Sequence, residues 1–367
     1  MRPRTVAGTI LVVALIAGCG AMPPAGAAWE QVPDGPLSAR SSTSLTWVGD
    51  RFVVVGGDDG PPCPPTADCA VPAGAALRDG ATFDPATGDW EQIADAPTPI
   101  LAPVTAVLGS TLYLLTEFPR PDVPAAFLAY DVKTDRWSTL PLPPDGAGRL
   151  VAHGDVLLSV PGSDEQVTAV DSWFDPATST WHRVPDDPLG PSFDRSMVVV
   201  DGSVLLTAKD LVPSPGAEGP ALVRMAELDP TRTTWTVLPD SEVIGSDPVS
   251  VAGRLVFPDV GGADGGEVGN WGRTYWHGGI YDPGAATWED LPAVPGRTSW
   301  PRVVVGERIK VGDVLLDPVD RTTTVLPADP WGAADSPAVA ASPTTIFAWG
   351  GMADGSTTGY LLTPSET

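Results

Sequence analysis

One short phrase recurs along this chain at intervals of a few tens of residues. FDPATGDWEQI begins at residue 83, and related phrases begin at residues 130, 174, 228, 281 and 316. In every copy an aspartate follows an apolar residue. Six residues after that aspartate stands a tryptophan in five copies, namely Trp90, Trp137, Trp181, Trp235 and Trp288, and Thr323 in the last. Such a recurrence predicts a repeat architecture.

Each copy reads as the second half of a small antiparallel sheet. Its aspartate, often followed by proline, favours a tight turn because the carboxylate accepts hydrogen bonds from backbone N–H groups a few residues on. The tryptophan falls on the strand after the turn, where its large ring must be covered. Two further strands around a glycine turn precede the copies, as in SLTWVGDRFVVVGG from residue 44. One such sheet cannot bury its own face, so the units are expected to stack around a ring.

Composition agrees with an all-β chain and limits its partners. The 40 glycines and 42 prolines among 367 residues interrupt the sequence too often for long helices. The hydrophobic share of 43% is higher than a disordered chain carries. A formal net charge of −25 repels nucleic acid and anionic lipid headgroups. We therefore expect no nucleic-acid partner and no membrane contact except through a lipid anchor.

The repeat resembles that of the kelch-repeat, galactose-oxidase-like β-propellers. The resemblance rests on the Asp-to-Trp spacing and on the glycine pairs Gly56-Gly57, Gly261-Gly262 and Gly350-Gly351. It covers residues 29–364 and implies one all-β domain: a seven-bladed kelch-type β-propeller with four-stranded antiparallel blades. WEQVP at 29–33 matches a last strand without a first half, and TTGYLLTP at 357–364 stops before its tryptophan strand. The N-terminal strand is therefore predicted to complete the last blade and close the ring.

The first residues predict export. Arg2 and Arg4 precede an apolar run that ends in LIAGC, and this ending resembles a bacterial lipobox with Cys19 as the lipidated residue. Residues 1–19 would then be the lipoprotein signal peptide with its lipidated cysteine, and residues 20–28 a short tether. The predicted location is the outer face of a bacterial cell membrane. An ordinary cleaved signal, which would give a secreted protein, is the alternative.

A pair of cysteines and a set of aspartates in the loops each suggest either a structural role or a metal site. Export places Cys63 and Cys69 in an oxidising compartment, where they are predicted to form a disulfide; no histidine or third cysteine is near enough to favour a metal. Four aspartates stand in glycine-rich loops directly after a second strand, a setting that suits calcium: Asp58, Asp59, Asp264 and Asp354. None of them matches a defined calcium loop, and ordinary turn chemistry explains them equally. No cofactor is predicted, with calcium as the alternative.

The resemblance also indicates where a ligand would bind. In propellers of this family the first strands line the central channel, and the loops between second and third strands gather on one face with the links between blades. Two of these loops are long, at residues 57–79 and 262–275. The second loop and the following link bring arginines together with three tryptophans: Trp271, Trp276 and Trp300. Tryptophan and arginine are common in pockets for carbohydrate, peptide or carboxylate ligands. The alternative is that these rings only pack beneath the loop.

Four arginines stand near the starts of first strands: Arg40, Arg149, Arg195 and Arg302. Gathered at the inner rim of an acidic ring, they would form a local positive focus able to hold an anionic ligand. The alternative interpretation pairs each arginine with an aspartate or glutamate as a brace between blades.

Enzyme chemistry finds little support in the residues. Copper-radical oxidation needs two histidines with a cross-linked tyrosine. The three histidines, His153, His182 and His277, are predicted on a first hairpin turn, an outer tryptophan strand and a third strand, positions that do not easily converge on one metal. No pair of carboxylates stands out for glycoside hydrolysis. We therefore predict a monomeric, surface-anchored module that binds a glycan, a peptide or an envelope protein. A carbohydrate-active enzyme of the epimerase, mutarotase, hydrolase or lyase class, using the same loops, is the alternative.

Overall fold

The computed structural model describes residues 27–60, 75–116, 120, 123–144, 146, 148–163, 170–211, 219–259, 263–265, 271–292, 302–331, 337–351 and 357–365. These residues form thirty β-strands, numbered β1 to β30 in chain order. Twenty-eight of the strands make seven four-stranded antiparallel sheets, and β20 and β21 form a separate hairpin. The prediction of an all-β, seven-bladed propeller is confirmed. No helix long and apolar enough to cross a membrane occurs in this part of the chain.

The blades follow one another along the chain, each with its strands in sequence order from the channel outwards. Blade 1 contains β2 (Ser44–Val48), β3 (Arg51–Val55), β4 (Gly80–Asp84) and β5 (Asp89–Gln92). Blade 2 contains β6 (Val104–Leu108), β7 (Thr111–Thr116), β8 (Ala126–Asp131) and β9 (Arg136–Leu140). Blade 3 contains β10 (Arg149–His153), β11 (Val156–Val160), β12 (Ser172–Asp175) and β13 (Thr180–Arg183). Blade 4 contains β14 (Ser192–Val200), β15 (Ser203–Asp210), β16 (Val223–Leu228) and β17 (Trp235–Val237).

The last three blades complete the ring. Blade 5 contains β18 (Val249–Val251), β19 (Arg254–Phe257), β22 (Gly279–Asp282) and β23 (Thr287–Glu289), with the hairpin of β20 (Ala263–Gly265) and β21 (Thr274–Trp276) inserted between its second and third strands. Blade 6 contains β24 (Arg302–Val305), β25 (Arg308–Val311), β26 (Val314–Asp317) and β27 (Thr322–Val325). Blade 7 contains β28 (Ala338–Ala341), β29 (Ile346–Trp349), β30 (Gly359–Leu362) and the N-terminal strand β1 (Trp29–Val32).

The N-terminal strand closes the ring, as the sequence predicts. It pairs antiparallel with β30, with Trp29 opposite Leu362. Apolar clusters fill the seams between all seven neighbouring pairs of blades, including the closing pair. At that closing seam Phe83 of blade 1 stacks on Phe347 of blade 7 with ring centroids 4.8 Å apart. Burial of this kind, repeated around the ring, provides the main stabilisation of the fold.

The aspartates of the repeated phrase form the predicted turns between third and fourth strands. In six blades the carboxylate accepts a hydrogen bond from the backbone N–H two or three residues on, at distances of 2.8 to 3.1 Å; the acceptors are Asp84, Asp131, Asp175, Asp229, Asp282 and Asp317. Such bonds stabilise the ionised carboxylate, so they lower the pKa of Asp175, where the N–H of Ala177 has the largest effect.

The repeated tryptophans bridge neighbouring blades. In blades 1, 2 and 3 the indole packs against the aromatic residue that precedes the aspartate, in the pairs Trp90–Phe83, Trp137–Tyr130 and Trp181–Phe174. Five indoles donate their N–H to a backbone carbonyl just after the outer strand of the preceding blade. The donor–acceptor pairs are Trp90 to Pro33 (2.9 Å), Trp137 to Ala94 (2.7 Å), Trp181 to Pro141 (2.7 Å), Trp235 to Pro185 (2.8 Å) and Trp29 to Pro327 (3.4 Å). Two seams differ. Thr323 replaces the tryptophan in blade 6, and the buried N–H of Trp288 has no partner among the described residues.

The strand order gives the ring two distinct faces. One face, here called the loop face, carries the loops between second and third strands and the links between blades. The opposite face, called the turn face, carries the turns between first and second strands and the aspartate turns. Because β1 is a fourth strand, it begins on the turn face and ends at the link into blade 1.

Candidate functional site

The hairpin of β20 and β21 projects from blade 5 on the loop face. Its register places Ala263 opposite Trp276, and Trp276 is 56% exposed. Nearby, the Trp271 and Tyr275 rings meet edge to face with centroids 5.9 Å apart, and the Arg273 guanidinium lies 4.7 Å from the centre of the Tyr275 ring. The loop therefore presents one open tryptophan beside a packed aromatic and cationic group.

The link between blades 4 and 5 holds this hairpin in place. Glu242 of the link accepts hydrogen bonds from both terminal nitrogens of Arg273, at 2.7 and 2.9 Å. The hydrogen bonds to Glu242 raise the pKa of Arg273 most, and a hydrogen bond to Tyr275 raises it further. The guanidinium therefore stays charged. The Ile244 N–H donates to the Trp276 carbonyl at 3.0 Å. At Gly245 an added Cβ would lie 1.9 Å from the His277 carbonyl oxygen, so the close approach of link and loop requires glycine here.

Three of the large exposed apolar side chains in the described part of the chain lie on the loop face. Besides Trp276 these are Leu142, which is 45% exposed in the link between blades 2 and 3, and Leu211, which is 42% exposed after β15. Leu211 follows an elongated hairpin, because β14 has nine residues and β15 has eight. The loop face thus carries projecting strands together with three exposed apolar side chains on different blades.

Arg40, the first of the four predicted rim arginines, is buried in blade 1. Its two terminal nitrogens donate to the two oxygens of Asp79 at 2.7 and 2.9 Å, and it also bonds Ser38 and the Gly56 carbonyl. The hydrogen bonds from Arg40 lower the pKa of Asp79, against the opposing effect of burial. In this position the guanidinium ties the start of β2 to the loop between β3 and β4.

Arg195 is equally buried and joins blades 3 and 4. Its side chain is 1% exposed and contacts two carboxylates. Asp171, at the start of β12, accepts at 3.1 and 2.9 Å, and Asp187, in the link to blade 4, accepts at 2.8 Å. A buried guanidinium stripped of such partners is costly, so this group braces the seam.

The remaining two arginines pair with aspartates 43 and 98 residues away in sequence. Arg302, only 9% exposed, bonds Asp259, two residues after β19, and so joins blades 5 and 6. Arg149 bonds Asp247, which precedes the first strand of blade 5. The Arg149 side chain is 47% exposed, unlike the other three. Each of the four guanidiniums therefore has a carboxylate of its own, and their role in ligand binding stays a prediction.

A buried lysine on the loop side of blade 6 escaped the sequence analysis. Lys310 of β25 is fully buried and bonds Asp329 in the link to blade 7 and the Gly312 carbonyl. Burial raises the pKa of Asp329, and the nearby lysine opposes that rise. A lysine inside the apolar run RIKVGDVLL was the available signal, although a strand pattern alone does not show where its partner lies.

Several predicted residues lie outside the described residues, so their predictions stand untested. These are Cys19, Cys63, Cys69, Trp300 and Asp354, together with the side chain of Asp264. Of the other calcium candidates, Asp58 bonds Arg120 and accepts from the Gly60 N–H at 2.7 Å.

The three histidines have different surroundings. His153 ends β10 and contacts the Gly202 carbonyl, His182 stacks on Trp173 in blade 3, and His277 follows β21 in blade 5. Within the described ranges no three histidine, cysteine, aspartate or glutamate residues are grouped as metal ligands.

Comparison with known proteins agrees with this architecture. No protein-family model matches the chain. It is 26% identical over 204 residues to Kelch-like protein terF of Aspergillus terreus, covering 49% of this chain and 42% of that protein. It is 27% identical over 190 residues to human Kelch repeat and BTB domain-containing protein 13, covering 50% of this chain and 38% of that protein. The chain thus spans less than half the length of these curated relatives.

A solved structure, described as YCF48 bound to D1 peptide, matches with a TM-score of 0.52. The match covers 93% of this chain and 96% of that one, and at 13% identity it shows the fold alone. Kelch-repeat propellers are typical protein-interaction modules. With seven four-stranded blades, this chain is a seven-bladed β-propeller that is similar, at low identity, to proteins named for the kelch repeat.

Proposed function

We propose that the protein binds an extended segment of a protein partner on its loop face, at the β20–β21 hairpin. The observation that carries the proposal is Trp276, which is more than half exposed although it lies in a strand that is hydrogen-bonded on its other side to the link at Ile244. An open tryptophan on a braced element is a low-entropy anchor for a partner.

The surroundings of Trp276 favour a peptide. Arg273 and Glu242 supply charges of both signs at the edge of the aromatic group, which suits the mixed side chains and backbone of a polypeptide. Among the described strands β20 pairs only with β21, so its outer edge offers backbone groups for an added strand. Leu142 and Leu211 are further exposed apolar side chains on the same face.

A binding screen tests this proposal. The propeller, residues 28–367, is panned against a displayed random-peptide library and in parallel against a glycan array, together with Trp276→Ala. We expect enriched peptides whose affinity falls at least tenfold in the variant, which corresponds to about 1.4 kcal/mol. Val237→Ala is the matched control, because Val237 is 48% exposed but lies on the outer strand β17.

Two outcomes would contradict the proposal. Selective binding of glycans without peptides would assign the face to carbohydrate. Peptide binding that is equally strong in wild type and Trp276→Ala would place the interaction elsewhere on the ring.

The second part of the proposal concerns location. A lipid on Cys19 would anchor the protein to the outer face of a bacterial cell membrane, and the LIAGC motif supports this. Labelling of cells with a fatty-acid analogue should modify the wild-type protein and not Cys19→Ser, and the variant should leave the membrane fraction. An unmodified wild-type protein in the culture medium would indicate secretion instead.

A further inference from the structure

Both ends of the described propeller leave from the turn face. β1 begins there beside the end of β30, where Trp29 lies opposite Leu362. The C-terminal segment stays on that face, because Arg308, next to the turn between β24 and β25, donates to the Ser365 carbonyl at 3.1 Å. Any N-terminal tether therefore meets the ring at the turn face.

The β20–β21 hairpin lies on the opposite face. It is inserted between β19 and β22, at the ends of those strands that point away from the turn face. Strands of about five residues at about 3.3 Å per residue separate the two faces by about 17 Å, to which the hairpin adds its own length. The start of β1 and Trp276 are thus on opposite sides of the ring.

We propose that the membrane-anchored protein is oriented with its turn face toward the lipid and its loop face outward, so that its partner approaches from the side away from the membrane. This inference rests on the proposed lipid at Cys19. Nine residues, 20–28, lie between Cys19 and Trp29, and a chain of that length reaches at most about 30 Å, which keeps the turn face near the headgroups. The reverse orientation would stretch the tether past the full height of the ring.

Charge on the turn face opposes close contact with the membrane but does not reverse the orientation. The aspartate turns line this face, and the turns between first and second strands add Asp50, Asp155 and Asp201. Anionic headgroups repel such a surface, yet the repulsion decays over about 8 Å at physiological salt. Because nine residues can reach farther than that distance, the ring can stand off the membrane without turning over. The outward loop face, where arginines are paired with carboxylates, remains available to a polypeptide.

Energy transfer to labelled vesicles tests the orientation. The full lipidated protein, carrying Cys63→Ser and Cys69→Ser and shown to keep its melting temperature, receives one donor dye at Ala177→Cys or at Leu142→Cys. Ala177 is exposed on the turn face and Leu142 on the loop face, both at the edge of blade 3. Vesicles of phosphatidylethanolamine and phosphatidylglycerol carry an acceptor dye on their headgroups. Cys19→Ser is the control.

We expect transfer from position 177 to be several-fold stronger than transfer from position 142, and no transfer from either position in Cys19→Ser. Equal transfer from both, or stronger transfer from position 142, would overturn the orientation. Vesicle binding that does not depend on Cys19 would remove the anchor and overturn it as well. Peptide binding by Trp276 is measured without vesicles, so its failure is distinguishable from failure of the orientation.

Discussion

Replacing a bridging tryptophan by phenylalanine should reveal how much one hydrogen bond between blades contributes. Trp137 donates to the Ala94 carbonyl at 2.7 Å and packs on Tyr130 with ring centroids 4.8 Å apart. Trp137→Phe keeps an aromatic ring against Tyr130 but removes the N–H. A net contribution of about 1 kcal/mol is expected for such a bond, plus a smaller loss of buried ring surface.

Trp288 provides the matched control. It occupies the same place in blade 5 and stacks on Tyr281 with centroids 5.3 Å apart, but its buried N–H has no partner among the described residues. Trp288→Phe loses the same ring area and at the same time removes an unsatisfied donor, which is itself unfavourable when buried. Trp137→Phe should therefore be less stable than Trp288→Phe by about 1–2 kcal/mol, or about 1–3 °C in melting temperature for a domain of this size.

Urea unfolding followed by far-UV circular dichroism measures the difference. Coincident transitions by circular dichroism and fluorescence establish that the free energies can be compared. Equal destabilisation in the two variants would refute the reasoning, because it would mean that ring packing alone, and not the bond to the preceding blade, decides the contribution of these tryptophans.

Three further outcomes are expected. Arg195→Met leaves two buried carboxylates without their cation and should cost about 3–5 kcal/mol of unfolding free energy, whereas the exposed Arg183→Met should change it by less than about 0.5 kcal/mol in the same denaturation assay. The pKa of Asp79 is lowered in the folded state, so its contribution to the free energy of unfolding is present above its ordinary pKa of 3.8 and is lost as pH falls through the folded value. Melting temperatures measured between about pH 6 and 2 should therefore decline less steeply in Asp79→Asn than in the wild type. An identical slope would contradict this. Thr323→Trp should install the missing bridge of blade 6 and raise the melting temperature by about 1–3 °C in calorimetry, and a decrease would show that the seam cannot accept the indole.

The ring could be predicted from the sequence because its determinants are local and repeated. An aspartate turn, a tryptophan six residues later and a glycine turn each depend on residues close together in sequence, so each copy of the phrase predicts the same four-stranded blade. Closure was predictable for a related reason: the strand at Trp29 and the incomplete unit ending at Leu362 are complementary halves of one blade.

Only the tertiary structure decided which polar residues face solvent and which are paired. Arg149 and Asp247 are 98 residues apart in sequence, and no local pattern relates them. The same holds for buried Lys310 with Asp329, and for Arg195, whose carboxylate partners lie in blade 3 and in the link that follows it. The exposure of Trp276 likewise depends on how the link near Ile244 supports the hairpin from one side. Backbone repeats are set by neighbours along the chain, whereas charge pairing and side-chain exposure are set by neighbours in space.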